Sequence, residues 1–199
     1  MRNKIILTAG IAAVSLALLA GCGGANTNDA NTATRNGANL NGNANAATST
    51  PRSSAALGDD DRKFMTNAAT GGMEEVELGR LAAGKAQSAD VKKFGQKMVD
   101  DHSQANTELK QLAARKGVTL PAGMMDDQKA DKDKLSKLSG AEFDREYMKM
   151  MVDDHDKDVK EFKDEADDGS DADLKSFAAK TLPTLQEHQR MAKDIKGKQ

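Results

Sequence analysis

The only three histidines of this 199-residue chain, His102, His155 and His188, each fall on the apolar stripe of a long helical pattern. A fourth helical pattern, nearest the N-terminus, carries one carboxylate on its own apolar stripe, Glu75. Three neutral imidazoles and one carboxylate are a ligand set that suits one ion of zinc, iron, manganese or copper. The other way to satisfy such groups is a hydrogen-bonded network in which Glu75 accepts from imidazoles. Without either, each buried polar group would cost about 1–3 kcal/mol. Both solutions require four helices that bring the four side chains to one depth.

The helical patterns are set by apolar residues recurring every three or four positions. The first runs from about Asp59 to Ala86, with Phe64, Ala68, Gly72, Glu75, Gly79 and Ala82 on one stripe. Asp59, Asp60 and Asp61 supply capping oxygens and negative charge at its start. Glu74 and Glu77 project away from the stripe and read as solvated. The glycines at 71, 72, 79 and 84 each cost about 1 kcal/mol relative to alanine, so a neighbouring helix must approach closely or the helix must bend near Gly71. The second pattern, Asp90 to Lys116, follows a short break, with Ser88 as N-cap and Gly117 as C-terminal stop. Glu75 lies about as far before that break as His102 lies after it, so the two are expected at similar depth.

From Val118 to Gly140 the chain crosses over, interrupted by Pro121, with a short helix expected within Met124 to Leu138. A connection this long exceeds what a hairpin needs and suits the crossover of a ferritin-like bundle. The third long pattern, Ala141 to Asp168, starts at a Ser139 cap and places Phe143, Tyr147, Met151, His155, Val159 and Phe162 at four-residue steps. The fourth, Asp171 to Ile195, includes Pro183, which removes one backbone bond and favours a kink. His188 lies about five residues farther from the Gly169 turn than His155 does. It is therefore expected to be offset by roughly one helical turn. The fold class is all-α: a four-helix bundle over 59–199 with its crossover between the second and third long helices.

The N-terminal region reads differently. Arg2 and Lys4 precede an apolar run from Ile5 to Ala20, which is the pattern of a secretory signal and is short for a membrane span. It ends in Leu19-Ala20-Gly21-Cys22, which resembles a bacterial lipoprotein processing site, so residues 1–21 are expected to be the signal peptide and Cys22 the lipidated residue. Gly23 follows where an aspartate would signal inner-membrane retention, which points to the outer membrane, facing the periplasm. Residues 22–58 are rich in Asn, Ala, Gly, Thr and Ser and read as a disordered tether. Leu40 and Leu57 are too isolated to change that.

Composition narrows the function. Charged residues make up 30% of the chain with a net charge of −2, and there is no Trp and one Tyr. No basic block or aromatic platform points to nucleic acid. Cys22 is the only cysteine, so no intramolecular disulfide can form. Nucleophilic catalysis has no supporting motif. A di-iron ferroxidase centre would need Glu-x-x-His on two helices, whereas Val99, Val152 and Leu185 stand three residues before the histidines. Met98-Val-Asp-Asp-His102 recurs unchanged as Met151-Val-Asp-Asp-His155; internal duplication and chance both account for it. Met98 and Met151 could add soft copper ligands or simply pack. Asp101, Asp154 and Glu187 adjoin the histidines but point about 100° away, and read either as hydrogen-bond partners that support the imidazoles or, with more weight, as solvated charges.

Several segments together resemble the domain-of-unknown-function family 4142, described as predicted outer membrane proteins with a ferritin-like bundle. They are Gly71-Gly-Met-Glu-Glu-Val-Glu-Leu-Gly-Arg-Leu-Ala82, Met98-Val-Asp-Asp-His102, Gly117-Val-Thr-Leu-Pro121, Phe143-Asp-Arg-Glu-Tyr147, His155 and Leu182-Pro-Thr-Leu-Gln-Glu-His188. The resemblance implies a secreted or periplasmic four-helix domain in which Glu75, His102, His155 and His188 hold matching positions, and it brings no settled activity. Two functions follow as expectations. One is a lipid-anchored envelope bundle that binds a transition metal in stress protection or metal handling. The other is a non-enzymatic envelope interaction or structural protein whose bundle binds another envelope protein or the cell wall, with a purely structural polar cluster.

Overall fold

A computed structural model of the chain describes residues 57–199; the expected signal segment, Cys22 and the expected tether up to residue 56 lie outside the described residues. Five helices follow in order: α1 (Asp59–Lys85), α2 (Ala89–Lys116), α3 (Asp126–Ser136), α4 (Gly140–Asp168) and α5 (Ala172–Lys196). The four long ones form the bundle, and α3 lies in the crossover. The short breaks after α1 and α4 make two hairpins, α1 with α2 and α4 with α5, and the hairpins meet through α2–α5 and α1–α4. α3 packs on α1 and α4. None of the described helices is long and apolar enough to cross a membrane.

Helix ends follow the chemistry of their termini with some changes of partner. Gly117 adopts φ 66° and terminates α2, as a C-terminal glycine does. Ser88 and Ser139 occupy the N-cap positions of α2 and α4, but neither side chain makes a capping bond. Asp144 of α4 substitutes for Ser88: its carboxylate accepts from the backbone N–H of Gln87 at 3.0 Å and of Ser88 at 2.7 Å. One buried acid thereby ties the first hairpin's turn to the second hairpin. The N-cap of α1 is Gly58, not one of the three aspartates. Asp61 instead accepts from Ser170 N–H across to the α4–α5 turn. Asp171 caps α5 through the N–H groups of Asp173 and Leu174. The α5 helix runs through Pro183 without interruption.

The apolar stripes make two separate cores. One contains Leu78, Phe94, Met98, Tyr147, Met151 and Ala192, and α3 contributes Leu135. The other contains Phe64, Leu109, Phe162, Leu174, Phe177 and Leu185. Leu57, which the sequence places in the tether, is 8% exposed and belongs to this second core. On every long helix the chemistry-bearing residue stands between the two. Glu75 lies between Ala69 and Leu78, His102 between Met98 and Leu109, His155 between Val152 and Phe162, and His188 between Leu185 and Ala192. The bundle is two hydrophobic layers around one polar layer.

Candidate metal centre

The polar layer brings the four expected residues together. His155 and His188 are 0% exposed, Glu75 3% and His102 5%. The three ring centroids are 5.3–5.7 Å apart, and one ring nitrogen from each lies within 4.8 Å of the other two. The expected one-turn offset of His188 is therefore corrected: its ring centre is 5.3 Å from both others. Side chains on a helix lean toward its N-terminus. On α4 that direction is away from the Gly169 turn, and on α5 it is toward it. The two leans oppose the backbone offset.

Each imidazole uses one nitrogen on an acceptor other than the two neighbouring rings. His155 Nδ1–H donates to the Met151 carbonyl at 2.9 Å. His188 Nε2–H donates to Asp101 Oδ2 at 2.7 Å. With Glu75 ionised, His102 Nδ1–H donates to Glu75 Oε2 at 2.8 Å. The remaining nitrogens, His102 Nε2, His155 Nε2 and His188 Nδ1, are buried and have no hydrogen-bond partner. In these tautomers all three are lone-pair acceptors. Burial, first of all, holds the rings neutral: it pushes His102 down to about 4, His188 down to about 3 with help from neighbouring His102, and His155 downward against the opposing charge of Glu75. Three neutral acceptors that share one buried space have nothing to accept from one another. That is the donor set of a cation site, with the outer acceptors fixing each ring's tautomer.

The structure also changes the surroundings expected from sequence. Of the two readings of Asp101 the structure takes the partner and not the solvated charge, through His188. Burial works upward on its carboxyl, but hydrogen bonds from His188 and Lys97 outweigh this and hold it below the ordinary range. Lys97 lies 3.0 Å from it. Glu187 does stay at the surface, 3.8 Å from Lys97. Glu74, expected to be solvated, is 9% exposed, and burial followed by the charge of Asp154 raises it to about 7. Asp154 is half-buried. Glu77 is half-buried and paired with Lys132 at 2.6 Å. The helix α3 lies over this side of α1, where a simple amphipathic reading assigns water. Met98 and Met151 are 0% exposed members of the first apolar core.

Asp158 is the site residue that the sequence reading missed. Its carboxylate, a Glu75 oxygen and a His155 nitrogen all lie within 4.8 Å of one another. His155 thus belongs to two triads, one of three imidazoles and one with two carboxylates. The expected set of Glu75 with three histidines resolves into these overlapping groups. Burial raises Glu75 to about 7, with His155 drawing it lower, while burial and then the Glu75 charge raise Asp158 well above the carboxylate range. The spacing His155-x-x-Asp158 places both on one helix flank, a signal missed by a search of positions three before each histidine. Tyr147 contributes a buried hydroxyl without a partner, and burial and the Glu75 charge push its ionisation well above 10.

The family Domain of unknown function (DUF4142) matches residues 46–195. The chain belongs to this family. No curated protein matches it. Two solved structures share its fold. A crystal structure of a DUF305 fragment from Deinococcus radiodurans superposes with a TM-score of 0.64 at 12% identity, over 73% of this chain and 100% of that one. CopM in its Cu(II)-bound form superposes with a TM-score of 0.60 at 17% identity, over 69% of this chain and 96% of that one. At these identities the likeness establishes the helical-bundle fold, and the site must be argued from its own residues.

Proposed function

We propose that this DUF4142 bundle binds one transition-metal ion in its polar layer, through His102, His155 and His188 with Glu75 beside them, and serves metal handling or stress protection. The observation that carries this reading is the set of three unpartnered, buried imidazole nitrogens, each on a ring whose other nitrogen is engaged. With Glu75 ionised, a closed hydrogen-bond network leaves them unpaired, because neutral imidazoles already donating outward have no second N–H to share. The donor set fits zinc or copper(II) best, since imidazole is the main ligand and affinity rises toward copper along the divalent series. CopM, whose matching structure is of the Cu(II)-bound form, shares the fold and is compatible with this reading. The sequence order of basic start, apolar run and Cys22 supports a lipid anchor, and with it a place in the cell envelope at the outer membrane.

One experiment tests both parts. The full chain is recovered from the membrane fraction of its native host and its metal content measured, beside His188→Ala and Cys22→Ala. The expected result is about one transition-metal ion per chain, a large loss of metal in His188→Ala, and, by mass spectrometry, an acylated N-terminus at Cys22 in the native chain, with Cys22→Ala unacylated and still carrying residues 1–21. Metal at background in the native chain, with no thermal shift on adding zinc, iron, manganese or copper, refutes the metal reading. A native chain whose N-terminus carries no acyl mass at Cys22 refutes the anchor.

A further inference from the structure

A pocket of about 240 Å³ opens beside the polar layer, between α1, α3 and α4. Seven carboxylates and a single ammonium, Lys157, line it. Their exposure falls in order: Asp127 and Asp131 on α3 are exposed, Asp154, Asp158 and Glu161 on α4 are half-buried, and Glu74 and Glu75 on α1 are buried. At its inner end stands Glu75, 3% exposed, whose Oε1 has no hydrogen-bond partner. His155 Nε2, also unpartnered, lies 3.4 Å from that oxygen. Asp158 completes a group whose three ligand atoms are within 4.8 Å of one another.

We propose that this acidic pocket admits divalent cations to the bundle, and that Asp158, Glu75 and His155 form a docking site distinct from the three-histidine centre. The exposed aspartates concentrate cations at the mouth by their field. Two carboxylates and one imidazole make a harder donor set than three imidazoles and suit Mn2+. His155 Nε2 has one lone pair, so it serves one ion at a time. It therefore links the two sites: an ion docked at the carboxylates reaches the three-histidine centre without leaving His155. The destination rests on the metal-binding function proposed above, while the docking site stands on its own three residues.

Mn2+ titration of the full chain, followed by the electron paramagnetic resonance of free Mn2+, tests the docking site, and Zn2+ titration tests the destination. Wild type should bind Mn2+, Asp158→Asn should weaken it by about tenfold or more, and His188→Ala should leave it unchanged. Zn2+ should show the reverse at equilibrium, with loss in His188→Ala and retention in Asp158→Asn. No Mn2+ binding by wild type, unchanged binding in Asp158→Asn, or loss in His188→Ala overturns the docking site. Zn2+ binding that ignores His188→Ala overturns the three-histidine reading and leaves the docking site standing. If thermal melts show that Asp158→Asn is unfolded, the exposed pair Asp127→Asn with Asp131→Asn decides. Slower Mn2+ uptake at low salt supports the route, and an unchanged rate overturns it.

Discussion

An imidazole has two nitrogens, and the value of each histidine here depends on which one the surroundings occupy. Asp101, the Met151 carbonyl and Glu75 each take one, leaving three lone pairs in one buried space. The same logic of surroundings applies to Glu165, far from the centre in the second half of α4. It is 7% exposed, its Oε1 has no partner, and burial, then the charges of Asp61 and Asp171, raise it from 4.5 to about 7. Between those values the folded chain holds a proton that the unfolded chain has released. Glu165 therefore lowers stability as pH rises from about 4.5 through 7. Glu165→Gln removes that dependence. The variant's melting temperature relative to wild type should rise from pH 5 and level off above about pH 7; a constant or falling difference would show that Glu165 is not held protonated.

At the scale of elements, the hairpin α1–α2 depends on two glycines facing each other. A Cβ on Gly95 would lie 2.7 Å from the Ala82 Cβ and 2.8 Å from the Gly79 carbonyl oxygen. Backbone cannot yield as a flexible side chain can, so the helices would separate. Gly84, on the exposed face of α1, meets nothing within 4 Å. The two should respond oppositely to alanine. Gly84→Ala should stabilise by up to about 1 kcal/mol through helix propensity, while Gly95→Ala should destabilise by about 1–3 kcal/mol through overpacking. Urea denaturation midpoints check both, and equal shifts would contradict the close crossing.

The contrast also shows what periodicity can and cannot reveal. The spacing of Phe64, Gly72, Glu75 and Gly79 marks the inner face of α1, and the four long helices fall within one or two residues of the expected bounds. Which glycine is crowded depends on the partner helix, and periodicity along one helix carries no such information. The burial of Glu74 is hidden from periodicity for the same reason. Its face is wet in an isolated α1 and is dried by α3, a connection whose path no local pattern encodes. Asp144 and Asp101 likewise act on elements distant in the chain, and only packing reveals it.

Taken as a whole molecule, the bundle interrupts its own core with a polar layer to which all four long helices contribute. That layer divides the apolar contacts into two clusters joined by helices that run through both. A cation held by His102, His155 and His188 would tie α2, α4 and α5 together at this level, and Glu75 would add α1 through its bond to His102. Because such a ligand binds the folded chain and finds no preformed site in the unfolded one, it stabilises by mass action. The gain is about 2.7 kcal/mol when the free ion is at a hundred times its dissociation constant. For a domain of this size that corresponds to a rise in melting temperature of roughly 5–15 °C. The rise should grow with the logarithm of free zinc or copper(II) and vanish in His188→Ala, with both cores still melting in one transition. Calorimetry checks each part. A melting temperature independent of metal in wild type would mean that the polar layer is held by the chain alone.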